Sequence, residues 1–164
     1  MAIIAAAVLF RFLPHVPNMT PIAAMALFGG AFLPKRWAVI LPLAAMVLSD
    51  IVLGFSLVTP FIYGSFLVTG FLGIWLKKHK RPETVISASL ISSTLFFLIT
   101  NFGVWAQGML YPRTMHGLTE AYLMGLPFFR NTIIGDLLYT GLLFVGYASL
   151  RALFTNRKAA LAHV

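Results

Sequence analysis

The chain has 164 residues, of which 60% are hydrophobic and only 10% are charged, and its formal net charge is +8. With this composition the chain has too few polar residues to cover the surface of a water-soluble globule. The composition therefore indicates an integral membrane protein and excludes an ordinary soluble domain. In such a protein lysine and arginine report topology first, and we expect no nucleic acid as a partner. The absence of cysteine excludes disulfides and thiolate metal sites.

Six apolar segments follow one another, and we predict each to be a helix because the runs are continuous rather than alternating. They lie at residues 1–13, 21–33, 37–56, 60–76, 83–107 and 128–153. We expect an all-α integral membrane protein in which residues 1–164 form a single transmembrane domain, a six-helix transmembrane bundle. As helices the first two segments are only about 20 Å long, against a hydrocarbon core of about 30 Å, so we expect them to be short and either tilted or re-entrant.

The lysines and arginines concentrate at every second boundary between segments. Nine of the twelve follow the second, fourth and sixth segments, namely Lys35, Arg36, Lys77, Lys78, Lys80, Arg81, Arg151, Arg157 and Lys158. The positive-inside rule then places both termini in the cytoplasm. We expect a multi-pass protein of the bacterial cytoplasmic (inner) membrane, with the lipid bilayer as its first partner.

With this topology the polar residues of the apolar segments gather at the outer side. The candidate substrate-binding residues are Arg11, His15, Asn18, Asp50, Asn101, Trp105, Gln107, Arg113, Arg130, Asn131 and Asp136. An ionisable residue inside a bilayer is a candidate functional site by default. We expect these side chains to converge on one pocket that is open to the outside or covered by the connection at residues 108–127, without a metal or another cofactor.

A structural interpretation of the same residues stays open. Because an isolated charge is costly in lipid, Arg130 or Arg11 could simply neutralise Asp50 or Asp136. His15 could bond a backbone carbonyl in its turn. Trp105 could belong to an outer aromatic belt.

Five stretches resemble, in this order and spacing, a bacterial family of small membrane proteins named as transport proteins. They are RFLPHVPNMTPIAAMALFGGAF, LSDIVLGF, PFIYGSF, FLITNFGVWAQGMLYPRT and PFFRNTIIGDLLYTGLLF. A looser likeness, in six helices and a proline-bearing first hairpin followed by LFGGAF, is to the substrate-binding S components of energy-coupling-factor transporters. That likeness implies a pocket beneath the outer loops and small residues on the first helix, here Ala2 and Ala6, that meet a transmembrane coupling subunit.

The resemblance and the residues together favour a substrate-binding, S-component-like subunit for uptake of a vitamin or another small molecule. No G-x-x-x-x-G-K-[ST] loop is present, so ATPases and a coupling subunit would be separate chains. An anionic or carbonyl-bearing ligand would meet Arg11, Arg113 or Arg130. The alternative is a structural accessory subunit of a larger membrane complex. We do not expect an enzyme, because the chain has neither H-E-x-x-H nor G-x-S-x-G.

Overall fold

The structure of the protein is a computed structural model that describes residues 8–13 and 16–161, with side chains up to Thr155 except that of Ala38. Every regular element in these ranges is an α-helix. Residues 8–12 are helical (α1) and are followed by α2 (Ile22–Phe32), α3 (Lys35–Leu53), α4 (Thr59–Leu76), α5 (Pro82–Gln107) and α6 (Met115–Leu161). The predicted all-α class is confirmed, and four described helices, α3 to α6, are long and apolar enough to cross a membrane. The count of six transmembrane helices stays a prediction.

The short helix α2 lies at the centre of the bundle. Its sequence, IAAMALFGGAF, is apolar on every side, and such a helix is stable only where all its sides are covered. Nine of its eleven residues are buried, and it contacts α3, α4, α5 and α6. At about 1.5 Å per residue it is only about 16 Å long. The prediction of a short second helix is therefore confirmed.

Two glycines let α2 and α4 approach each other backbone to backbone. A Cβ atom added to Gly30 would lie 2.4 Å from the carbonyl carbon of Gly73, and one added to Gly73 would lie 2.7 Å from the carbonyl oxygen of Leu27. Small residues at a helix interface permit such close contacts. The spacing of Gly141 and Gly146 predicts the same role for that pair, but a Cβ at either position meets nothing within 4 Å.

The last helix begins earlier than the sequence predicts. The sequence predicts a sixth segment that begins at residue 128, whereas α6 begins at Met115 and contains Pro127 in its interior. The first turn is capped by Thr114, whose Oγ1 accepts a hydrogen bond from the backbone amide of Gly117 at 3.2 Å. The predicted long connection at 108–127 is therefore wrong; only residues 108–114 link α5 to α6.

The chain reverses direction at two opposite ends of the bundle. We call one the Asn18 end, which carries residues 16–21 and the connections 54–58 and 108–114, and the other the Lys80 end, which carries 33–34 and 77–81. At the Asn18 end, Gln107 Nε2 donates a hydrogen bond to the Leu57 carbonyl at 3.0 Å. At the Lys80 end, Lys77 Nζ donates to the Leu33 carbonyl at 3.4 Å. These ends correspond to the predicted outer and inner sides, respectively.

Candidate functional site

A buried ion pair joins α1 to α3. Arg11 Nη1 lies 2.7 Å from Asp50 Oδ1, with the two side chains 18% and 6% exposed. The same nitrogen donates to Ser49 Oγ and, at 3.4 Å, to the Met46 carbonyl. Tyr63 OH donates to the other carboxylate oxygen, Asp50 Oδ2, at 2.8 Å. Both oxygens of Asp50 are therefore engaged, and its charge is balanced where it is buried.

The turn between α3 and α4 positions Tyr63 against Asp50. Gly54 ends α3 with a φ of 92°, in the region that favours glycine. Ser56 then donates its backbone amide to Thr59 Oγ1 at 2.9 Å, which closes the turn and starts α4. The tyrosine consequently faces the last turn of α3. The pairing of Arg11 with Asp50 is one of the four that the sequence left open.

Asp136 on α6 is buried to the same degree but has no cation. It is 3% exposed, and Ser93 Oγ donates a hydrogen bond to its Oδ2 at 2.7 Å. Among the described residues the only ion pair is that of Arg11 with Asp50. Arg130, the other predicted partner, is exposed and makes no ion pair with any described residue. Of the two buried carboxylates in the described part of the chain, Asp50 is therefore paired with a cation and Asp136 is not.

Between these two carboxylates lies a cavity of about 220 Å³. All six helical elements and the loop that precedes α2 contribute to its wall. The lining residues are Arg11, Asn18, Thr20, Ala23, Met46, Leu53, Ile62, Phe66, Phe96, Thr132 and Asp136. Three predicted site residues, Arg11, Asn18 and Asp136, thus meet at one volume, whereas Asp50 is paired with Arg11 but does not line the cavity.

The loop wall of the cavity is fixed to α6. Asn18 has a φ of 62°, a left-handed conformation that asparagine tolerates better than most residues. The Met19 amide donates to the Val16 carbonyl at 3.0 Å, and Asn131 Nδ2 donates to the Pro17 carbonyl at 3.2 Å. Asn131 therefore positions the loop without lining the cavity. The predicted site residue His15 lies outside the described residues.

The remaining predicted residues hold the end of α5 and do not line this cavity. Trp105 Nε1 donates to the Thr114 carbonyl at 3.0 Å, and Arg113 Nη2 donates to the Gln107 carbonyl at 3.2 Å. Asn101 Nδ2 bonds the Phe97 carbonyl within its own helix at 2.8 Å. Of these three acceptors, the Gln107 carbonyl belongs to the last turn of α5, where carbonyls have no partner within the helix. The predicted convergence of Asn101–Gln107 on the cavity is therefore corrected; Phe96 is the residue of α5 that reaches it.

Sequence reasoning missed the hydroxyl groups inside the bundle. Ser93 bonds Asp136, and Ser92 on α5 pairs with Thr69 on α4, with 2.7 Å between their oxygens. The sequence feature that could have predicted these hydroxyl contacts is the run SASLISST within an apolar helix. Hydroxyl side chains three and four residues apart share one helix face and often form hydrogen bonds to a neighbouring helix. Among the described residues no group of three or more potential ligands could hold a metal ion.

A second, larger cavity opens at the Lys80 end. This groove has a volume of about 760 Å³ and lies between the start of α5 and the second half of α6. Its walls are mainly apolar, with Lys80 and Arg151 at the rim. Lys80 Nζ lies 4.6 Å from the centroid of the Phe32 ring, a cation–π distance.

Fold and site together define a class: over its described residues the protein is all-helical, with four helices long and apolar enough to cross a membrane and a mainly apolar cavity whose few polar groups include Arg11 and Asp136. The chain belongs to the family of unknown function DUF6580, which matches residues 1–159. Neither the comparison with curated proteins nor the comparison with solved structures found a match.

Proposed function

We propose that this protein is a membrane-inserted, substrate-binding subunit for the uptake of a small molecule, similar in role to an S component. The observation that carries the proposal is the cavity of about 220 Å³ at the Asn18 end, because it combines an apolar wall with a few converging polar groups. For comparison, an engineered apolar cavity of about 150 Å³ binds benzene. The volume therefore suits a molecule of about one ring.

The proposed setting is the bacterial cytoplasmic membrane, with both termini in the cytoplasm and the Asn18 end outside. The basic connections support it, since Lys77, Lys78, Lys80 and Arg81 all lie at the other end. The chain contains no phosphate-binding loop, so we propose that energy comes from a separate coupling subunit and its ATPases. Binding and release alone are the proposed activity, without chemical conversion of the ligand.

The proposed orientation can be tested by cysteine labelling, because the chain has no cysteine of its own. His116 and Lys78 are both exposed and lie at opposite ends. A membrane-impermeant thiol reagent should label His116→Cys in intact cells and should label Lys78→Cys only after the cells are opened. The reverse pattern would overturn the orientation.

A specific observation favours a second function, that of a structural accessory subunit. The groove of about 760 Å³ at the Lys80 end is larger and more apolar than the cavity, and Leu153 and Phe154 near it are exposed. Exposed apolar surface of this kind also marks a protein interface. Under this alternative the groove would hold a partner chain and the cavity would hold only water.

Native mass spectrometry of the protein released from lipid nanodiscs separates the two functions. Two variants probe the two volumes: Thr20→Leu adds bulk to the cavity from its loop wall, and Ala148→Leu adds the same side chain to the groove. We expect wild type and Ala148→Leu to carry a bound small molecule that Thr20→Leu lacks. If all three carry no small molecule, and a protein partner is lost only from Ala148→Leu, the accessory function replaces the proposal.

A further inference from the structure

We infer that the ligand of the cavity is a small organic cation and that the Asp136 carboxylate receives its charge. This inference rests on the proposed function and makes its substrate class specific. It replaces the anionic or carbonyl-bearing ligand that the arginines of the sequence suggest, because Arg11 is paired with Asp50 and neither Arg113 nor Arg130 lines the cavity.

The charges at the cavity leave one negative charge without a partner. Arg11 lines the wall, but its guanidinium lies 2.7 Å from Asp50 and is also bonded to Ser49. Asp136 faces the same volume with only the neutral hydroxyl of Ser93 beside it. For the described residues the balance of Asp50, Arg11 and Asp136 as ionised groups is one negative charge.

One oxygen of Asp136 is free to accept a ligand. Ser93 bonds Oδ2, and no described residue bonds Oδ1. No fully buried side-chain oxygen or nitrogen of the described residues lacks a hydrogen-bond partner, so Oδ1 is not sealed inside the protein. Asp136 is one of the residues that line the cavity, so a ligand there lies beside its carboxyl group.

The other walls also suit a cation. Phe66 and Phe96 line the cavity with ring centroids 5.4 Å apart, and aromatic faces attract ammonium groups. Thr132 Oγ1 already donates its hydrogen to the Phe128 carbonyl, so toward the cavity it can act only as an acceptor. Besides Asp136, the wall therefore offers an acceptor hydroxyl and two aromatic rings to a cation.

Electrostatics favours the cation over an anion. A buried carboxylate without a counter-ion is costly, and an ammonium group beside it converts that cost into an ion pair. An anion would instead lie in the same volume as the Asp136 carboxylate, and the charge of Arg11 is already balanced by Asp50. A neutral ligand would leave Asp136 as it is.

A series of three single-ring probes tests the inference on the full chain in nanodiscs, with empty nanodiscs subtracted. Benzylammonium, benzyl alcohol and benzoate have a similar size and differ in charge. We expect benzylammonium to bind wild type about tenfold more tightly than the other two probes by isothermal titration calorimetry at constant ionic strength. Asp136→Asn should abolish this preference, and Glu83→Gln, which removes an exposed carboxylate at the Lys80 end, should retain it.

If Asp136→Asn fails to fold, Phe96→Leu provides the second variant, because it keeps the carboxylate and removes one aromatic face. Phe96→Leu should lower the binding affinity for benzylammonium more than it lowers the affinity for benzyl alcohol. The inference is overturned if benzoate or benzyl alcohol binds as tightly as benzylammonium, if the preference survives Asp136→Asn, or if no probe binds. In each of these cases a small molecule that is retained by wild type and lost from Thr20→Leu would leave the proposed function standing.

Discussion

Asp50 and Asp136 are residues with similar burial, 4% and 3% exposed, but their carboxyl groups have different partners in the bundle. Asp50 receives a guanidinium and a phenol, from Arg11 and Tyr63. Asp136 receives one serine hydroxyl and faces a cavity. The same side chain thus serves to join α1, α3 and α4 in one place and to leave an acceptor available in the other.

The difference teaches what each carboxylate can be used for. A buried ion pair contributes little net stability against an apolar replacement, but removal of one partner is expensive, so it fixes the arrangement of the elements it joins. A buried carboxylate without a cation does not fix neighbouring elements in this way. Binding of a cation beside it lowers the cost of the buried charge. We therefore expect substitutions around Asp50 to reduce stability and those around Asp136 to change binding.

The largest expected effect follows from the loss of Arg11. Arg11→Ala leaves Asp50 buried without a cation and should lower the free energy of unfolding by about 3–5 kcal/mol. SDS titration in mixed micelles measures this change. Arg113→Ala is the matched control, because Arg113 is exposed and bonds only a backbone carbonyl, and it should change stability by no more than about 1 kcal/mol. Equal effects of both variants would show that the ion pair does not fix α1.

The next effect tests the second donor to Asp50. Tyr63→Phe removes a hydrogen bond to a charged acceptor and should lower stability by about 1.5–3 kcal/mol. Tyr122→Phe removes the same hydroxyl from a neutral acceptor, the Leu98 carbonyl at 3.0 Å, and should cost only about 0.5–1.5 kcal/mol. The same titration ranks the two variants, and a larger loss for Tyr122→Phe would contradict the account of Asp50.

A smaller effect is expected at the donor to Asp136. Ser93→Ala removes the hydroxyl that bonds Oδ2, but water in the cavity can take its place beside the carboxylate. We expect a loss of about 0.5–1.5 kcal/mol in the free energy of unfolding. A loss as large as that of Arg11→Ala would mean that Asp136 is a structural group like Asp50.

The smallest effect on stability is expected for Asp136→Asn. The amide oxygen still accepts from Ser93, and the substitution removes a buried charge, so stability should stay within about 1 kcal/mol of wild type or rise. Asp50→Asn is the matched variant and should be strongly destabilising because it leaves Arg11 without its counter-ion. If the two asparagine variants unfold at the same SDS concentration, the contrast between the two carboxylates is removed.

Part of the site could be predicted because helices of known direction place residues at known ends. Alternating segments bring Arg11, Asp50 and Asp136 toward one side, and the sequence predicts a pocket or ion pairs there. It could not choose between Arg11 and Arg130 as the partner, because that depends on how each helix is rotated about its axis. Tyr63 was missed for the same reason.

The helix boundaries show a second limit of local patterns. Pro127 immediately precedes the predicted sixth segment, but α6 continues through it from Met115. A proline inside a helix removes one hydrogen bond and its ring crowds the carbonyl four residues earlier, and the packing of the long helix α6 against α5 offsets this cost. Local propensity therefore misplaced the start of α6 and with it the length of the connection from α5.

By itself the sequence determined that this protein is all-helical, that several helices are long and apolar enough for a membrane, and that its basic connections lie at one end. These properties depend on composition and spacing, which sum along the chain. Only the tertiary structure decided that the short helix α2 is central, held against α4 at Gly30 and Gly73, and that Asp50, unlike Asp136, is paired with a cation among the described residues. Those outcomes depend on how closely backbones approach and which face each helix turns inward, and both are settled by contacts between residues far apart in the chain.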